Sequence, residues 1–144
     1  MILKANITNL HNITNLALKL WPKHDFNDLI KEYQDIILNE NNATFIYYIN
    51  DKSIGFAQCG LRSDYVEGTE SSPVGYLEGI FVNADDRKKG YASQLLLACE
   101  QWAKDMGCTE FASDCELDNI DSLKFHMAMG FDEANRIICF RKSI

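Results

Sequence analysis

Residues 87–92, Arg87-Lys88-Lys89-Gly90-Tyr91-Ala92, stand between an apolar, strand-like stretch (76–82) and a helix-like stretch (92–106), and that order leaves few folds open. A strand that stops, a short basic loop with a glycine and a helix that starts aim unpaired N–H groups and the positive helix end at one point. An anion, phosphate above all, is the natural occupant of such a cradle. Basic residues at a helix N-terminus oppose the macrodipole by about 0.3–1 kcal/mol each. The cluster is therefore mildly unfavourable as a bare solvated face and favourable with an anion among its members. Gly90 allows the backbone to approach a phosphate with no side chain between.

The flanking pattern alternates strands and helices without a linker or repeat. Residues 2–7 read as a strand, and Thr8 or Asn9 can cap a helix with Leu10, Ile13, Leu16, Ala17 and Leu20 on one face, ended by Trp21-Pro22. A second helix carries Leu29, Ile30, Tyr33, Ile36 and Ile37. Residues 43–49 and 53–61 are rich in β-branched and aromatic types around a polar break at Asn50-Asp51-Lys52, which predicts a hairpin. Residues 62–73 lack periodicity and form a loop long enough to be functional. A long helix closed by Gly107 follows the basic loop, then a short strand at 110–113, a last helix capped by Asp118 or Asn119, and a closing strand at 137–141. Strands interleaved with helices around an antiparallel hairpin predict an α/β fold with a mixed sheet, α+β in character, in one domain over residues 1–144.

Composition narrows the function classes. The formal charge of −7 argues against a nucleic-acid partner, which needs a basic face, and suits a cationic ligand; carboxylates that only keep the chain soluble are the plain alternative. No apolar stretch approaches the roughly 20 residues of a membrane span, so a soluble cytoplasmic protein with no membrane partner is expected. Cys59, Cys99, Cys108, Cys115 and Cys139 are odd in number and lack CxxC spacing, which indicates neither a disulfide framework nor a metal site. His11, His24 and His126 suggest no nucleophile–base pair with them.

The strand, the loop meeting the pattern Arg-x-x-Gly-x-Ala at Arg87, Gly90 and Ala92, the helix, the strand to Asp114 and the Met129-Gly130-Phe131 ending together resemble a GNAT acyltransferase. The resemblance implies the GNAT acyl-CoA N-acyltransferase fold, with acetyl-CoA as co-substrate and no metal. Arg87, Lys88, Lys89, Gly90, Tyr91 and Ala92 would hold its pyrophosphate. The backbone of Ile80, Phe81 and Val82 would pair with its pantetheine arm like an added strand. Two neighbouring parallel strands would splay at a bulge, with which Gly79 beside Glu78 is compatible, and the Ile80 N–H is the candidate oxyanion donor. Asn119 matches a position that contacts pantetheine; helix capping is an equal account of it.

A narrower resemblance covers nearly the whole chain, through Leu20-Trp21-Pro22, Arg62-Ser63-Asp64-Tyr65-Val66-Glu67-Gly68, Ser71-Ser72-Pro73-Val74, Leu77-Glu78-Gly79-Ile80-Phe81-Val82 and Ala112-Ser113-Asp114. It is similar to the aminoglycoside 6'-N-acetyltransferases, which implies a polycationic aminoglycoside as acceptor, a role in antibiotic resistance and a homodimer. Trp21, Tyr65, Glu78 and Asp114 would line the acceptor site, the carboxylates taking ammonium hydrogen bonds and the aromatics stacking on sugars. Each also has a structural reading: Trp21 as packing at a helix end, Tyr65 and Asp114 as loop residues, Glu78 as an outward strand carboxylate. The implied mechanism is direct attack of the 6'-amine in a ternary complex, with Asp114 as base or orienting group and Glu78 in support. His126 stands where many relatives carry a tyrosine that donates to the departing sulfur, and either packs or takes that role. Transfer to another amine, such as a polyamine or a protein N-terminus, and a non-catalytic acyl-CoA-binding regulator are the alternatives.

Overall fold

The computed structural model describes all 144 residues. Its elements in chain order are β1 (Ile2–Lys4), α1 (Leu10–Leu20), α2 (Phe26–Leu38), β2 (Asn42–Ile49), β3 (Lys52–Arg62), β4 (Val74–Val82), α3 (Tyr91–Asp105), β5 (Phe111–Ala112) and α4 (Ile120–Ala128). They form one mixed five-stranded sheet in the order β1-β2-β3-β4-β5, antiparallel except for the parallel β4–β5 pair. The hairpin between β2 and β3 turns at Asn50 and Asp51, both at positive φ (47° and 63°), as a tight turn matched to the strand twist requires.

The two sheet faces carry two cores. The stripe Leu95, Leu96, Cys99, Trp102 and Ala103 of α3 packs against Ala57, Cys59, Leu77 and Val82. Ile13, Leu16 and Ala17 of α1 and Leu29 and Tyr33 of α2 pack against Ile46 and Phe56 on the other face. Full burial of each Leu or Ile contributes about 1.5–3 kcal/mol, so both helical layers are fixed to the sheet by their apolar stripes.

Caps and ends depart from the sequence reading in instructive ways. A short 3-10 turn at Ile7–Asn9 precedes α1, and its cap is Asn6, whose Oδ1 accepts from the Thr8 N–H at 2.8 Å. Taking Asn6 as a cap ends the first strand at Lys4. The fifth sequence strand, at 110–113, shrinks to Phe111–Ala112, and the closing strand at 137–141 does not form: residues 132–144 carry no regular structure and Ile138 and Phe140 are 80% and 91% exposed. A strand there needs a ladder partner, and no strand of the sheet pairs with these residues.

Two irregularities shape the centre. In the β3–β4 register Gln58 opposes Gly79 and Cys59 opposes Leu77, so Glu78 is the extra residue of a bulge. The β4–β5 pairing is confined to Gly75–Phe111 and Tyr76–Ala112. Beyond those two pairs the strands part, and one edge of β4 lies open.

Candidate active site

On one side of this fork lies the start of α3. Its N-cap, Gly90, has φ +84° with open space around a would-be Cβ, so the glycine answers to backbone conformation and not to crowding. No side chain caps the helix, and none of the turn and cap hydrogen bonds is donated by the N–H groups of residues 88–93. These donors face a cavity of about 250 Å³ lined by Val82, Lys88, Gly90, Tyr91, Ser93 and Phe125 among others. The basic side chains are less free than the sequence implied. Arg87 Nε donates to the Val82 carbonyl at 2.9 Å, and Lys89 Nζ donates to the Asp85 carbonyl at 3.1 Å and lies 3.8 Å from Asp86. Lys88 makes no hydrogen bond or ion pair, and Arg87, held only by a neutral carbonyl, keeps its charge uncompensated as well. Of the three basic side chains only Lys89 has a carboxylate beside it, that of Asp86.

The open edge of β4 can be read from its ladder. Asn83 N–H donates to the Ile54 carbonyl at 2.8 Å, which by antiparallel alternation makes Phe56–Phe81 and Gln58–Gly79 the pairs that exchange hydrogen bonds. The peptide groups of Ile80 and Val82 therefore face away from β3, toward the fork. Phe81 is a correction to the expected three-residue backbone contact: its N–H and C=O are spent on β3, while its ring packs on the α1 and α2 side.

On the other side of the fork sit the carboxylates. Arg62 grips Glu78 with three N–H bonds of 2.9–3.0 Å, two to Oε1 and one to Oε2. The same guanidinium lies 3.4 Å above the centre of the Tyr76 ring, and the Tyr76 hydroxyl donates to Asp114 Oδ2. Burial first, then the bond to Asp114, push the Tyr76 phenol well above its ordinary range, so it stays a donor. Trp21 packs against the bulge: a Cβ on Gly79 would lie 2.7 Å from its Cη2, and its ring meets Phe56 edge-on at 6.2 Å. Trp21, Glu78 and Asp114 are thus placed along the middle of β4, at Gly79, at the bulge and at Tyr76. Tyr65 stands out in the loop, 76% exposed and without a hydrogen bond.

That loop, residues 63–73, is tethered at two points. Val66 is buried with Val74 and Tyr76. Glu110 Oε1 accepts from the N–H groups of Glu70 and Ser71 at 2.9 and 2.8 Å and from the Ser71 hydroxyl at 2.5 Å. The Ser71 hydroxyl, followed by the Glu70 amide, holds the Glu110 carboxyl below its usual range.

His126 is not free to act alone. Its Nδ1 lies 2.7 Å from the Ser122 carbonyl, which can only accept, so Nδ1 carries the proton and Nε2, 2.7 Å from Ser113 Oγ, accepts from that hydroxyl in the neutral ring. Asn119 realises its capping role, Oδ1 accepting from the Ser122 N–H at 3.1 Å. Arg62, Tyr76, Glu110 and Ser113 escaped the sequence reading. Arg62, as the first residue of the loop segment and two places before an acid, was the one with a visible signal. No group of three or more His, Cys, Asp or Glu side chains gathers as a metal site.

Comparison with known proteins agrees with this layout. A sequence model of the acetyltransferase (GNAT) family matches residues 7–131. The aminoglycoside N(6')-acetyltransferase type 1 of Salmonella enteritidis is 40% identical over 141 residues, 98% of this chain and 97% of its own length. Its counterpart from Serratia marcescens is 37% identical, covering 100% and 99%. Among solved structures, AAC(6')-Iy in complex with the bisubstrate analogue CoA-S-monomethyl-acetylneamine superimposes with a TM-score of 0.96 at 40% identity, covering 100% of this chain and 98% of that one.

Proposed function

The chain belongs to the acetyltransferase (GNAT) family, and on that footing we propose that it transfers the acetyl group of acetyl-CoA to the 6'-amine of aminoglycosides, conferring resistance. The observation that carries the reading is the division of the fork: uncapped N–H donors at the start of α3 on one side, carboxylates around β4 on the other. It is supported by end-to-end likeness to proteins named for that activity.

Acetyl-CoA supplies an activated acyl group as a thioester. The residues present fit it: the N–H groups at the start of α3, with Lys88, take the pyrophosphate, and the outward peptide groups of Ile80 and Val82 take the pantetheine arm as a strand would. In a ternary complex the Ile80 N–H donates to the thioester oxygen as it gains negative charge. Asp114 accepts a hydrogen bond from the 6'-amine and its proton, directly or through water, while Glu78 contributes to holding the polycation. Trp21 and Tyr65 offer apolar faces to the sugars. His126, whose Nδ1–H is spent on the Ser122 carbonyl and whose Nε2 accepts from the Ser113 hydroxyl, has no N–H left for a departing sulfur in this arrangement, which favours its packing role.

We also read the protein as a cytoplasmic homodimer in which residues 1–144 form one domain. The donor is a cytoplasmic metabolite, and all five cysteines are free thiols. The exposed Ile137, Ile138 and Phe140 are apolar side chains that a second copy would cover.

Release of CoA thiol against a panel of amines tests the reading. Turnover is expected with aminoglycosides bearing a 6'-amine and not with those bearing a 6'-hydroxyl. Turnover on polyamines alone, or binding of acetyl-CoA with no turnover on any amine, would sink it.

A further inference from the structure

We infer that Tyr76 is the positioning residue of the acceptor site: it holds Asp114 by one oxygen so that the other meets the reacting amine, while Arg62 withdraws Glu78 from proton transfer. This inference rests on the acetyltransferase reading above and assigns its two carboxylates different tasks.

The four carboxylate oxygens are unequally occupied. Glu78 Oε1 takes two Arg62 N–H bonds and Oε2 takes one. A carboxylate in a bidentate guanidinium pair has its lone pairs largely committed, which leaves it few directions in which to meet an incoming amine. Asp114 Oδ2 takes the Tyr76 hydroxyl, and Asp114 Oδ1 takes no donor from the protein. It is the only one of the four oxygens left without a protein hydrogen bond, and so the one free for an incoming amine.

The hydroxyl that fixes Asp114 is itself fixed. The Tyr76 ring is buried with Val66 and Val74, and the Arg62 guanidinium covers its face at 3.4 Å. The groups facing Tyr76 are thus Arg62 from β3, Glu78 from its own strand β4 and Asp114 beyond β5. The chain Glu78–Arg62–Tyr76–Asp114 links the two sides of the acceptor site. A carboxylate rotor held at one oxygen presents the other in a narrow range of directions, which an aligned amine needs at the moment of attack.

Tyr76→Phe keeps the ring beneath Arg62 and removes only the hydroxyl, so it separates positioning from packing. With a 6'-amine aminoglycoside, we expect kcat to fall about tenfold with the acceptor KM changed less than about twofold. Asp114→Asn should cost about a hundredfold or more in kcat, and adding Tyr76→Phe to it should cost nothing further, because Tyr76 acts through Asp114. Additive losses, or a Tyr76→Phe enzyme with unchanged kcat, would overturn the inference. A second readout needs neither substrate nor variant: in the free protein the Tyr76 hydroxyl proton should give a slowly exchanging, downfield NMR resonance. A Tyr76 hydroxyl that exchanges as fast as that of exposed Tyr65 refutes the link, even if the enzyme proves to act on another amine. Absence of aminoglycoside turnover in the unaltered enzyme, with that resonance present, would refute the substrate reading alone.

Discussion

Gly79→Ala is the sharpest probe of how the fold shapes the acceptor side. The new Cβ would stand 2.7 Å from Trp21 Cη2, 2.8 Å from Cζ2 and 3.3 Å from Leu20 Cδ2, and the first two contacts are closer than carbon atoms tolerate. Either the indole turns away or the bulge at Glu78 flattens, and both disturb the face proposed above for the acceptor. Overpacking of this kind costs about 1–3 kcal/mol, which corresponds to a fall of roughly 3–9 °C in Tm for a chain this size. If half or more of the disturbance falls on the bound acceptor, kcat/KM for the aminoglycoside drops about 2- to 160-fold. The acetyl-CoA KM should stay within about twofold, because the cradle at α3 is built from other residues. Trp21→Phe removes both clashing ring atoms, so the double variant should be more stable than the sum of the single losses predicts. Thiol-release kinetics and thermal melts read all of this. A Gly79→Ala enzyme with unaltered stability and unaltered acceptor kcat/KM would refute the claim that Trp21 is seated by the absence of a side chain at position 79.

Three further outcomes follow from the same geometry. Lys88→Ala should raise the acetyl-CoA KM about three- to tenfold, a change of about 0.7–1.4 kcal/mol, and flatten its salt dependence, whereas Lys89→Ala should do less, because Lys89 is already engaged by Asp85 and Asp86. Glu110 has a depressed carboxyl, so its tether on the loop at 63–73 is fully present above its ordinary value of 4.5 and is lost as pH falls through the depressed one; amide exchange at Ser71 should accelerate there beyond its intrinsic rate, and Glu110→Ala should abolish the protection at every pH. Phe140→Asp combined with Ile138→Asp should convert a species of about twice 16.4 kDa into one of 16.4 kDa by sedimentation, and a wild-type monomer would dispose of the dimer.

What could be read from the sequence divides along the range of the forces involved. The cradle at residues 87–92 was legible because a strand, a glycine and a helix start are adjacent in the chain and their geometry is local. The hairpin at Asn50-Asp51 was legible for the same reason, whereas the bulge beside Gly79 was expected only from the family resemblance. Arg62 and Tyr76 were not, because their importance lies in pairings that span 16 residues to Glu78 and 38 to Asp114. Tyr76 alternates correctly for an ordinary strand residue, and nothing in its neighbours announces a hydrogen bond across β5. The closing strand at 137–141 was read from residue type, which cannot say whether a partner edge exists within the same chain.

The partner bonds around the fork change how an acidic protein is to be understood as a host for both an anion and a polycation. If the basic loop worked by net charge, Arg87 and Lys89 would be free, yet both are engaged by the protein, and the unengaged donors are backbone N–H groups at fixed positions. Selectivity on that side therefore comes from where the donors point, with Lys88 and the uncompensated charge of Arg87 added to them. The cation side works the other way. Glu78 is compensated by Arg62 and so contributes little field at a distance. The attraction that gathers a polycation must then come chiefly from the exposed acids of the loop, Asp64, Glu67 and Glu70. Recruitment and chemistry are thereby assigned to different carboxylates. Neutralising Asp64 and Glu67 together should raise the acceptor KM and weaken its dependence on ionic strength while leaving kcat within about twofold, whereas the same charge removed at Asp114 should leave the salt dependence and lower kcat. A kcat that falls in step with loop charge would show that the loop acids take part in the reaction itself.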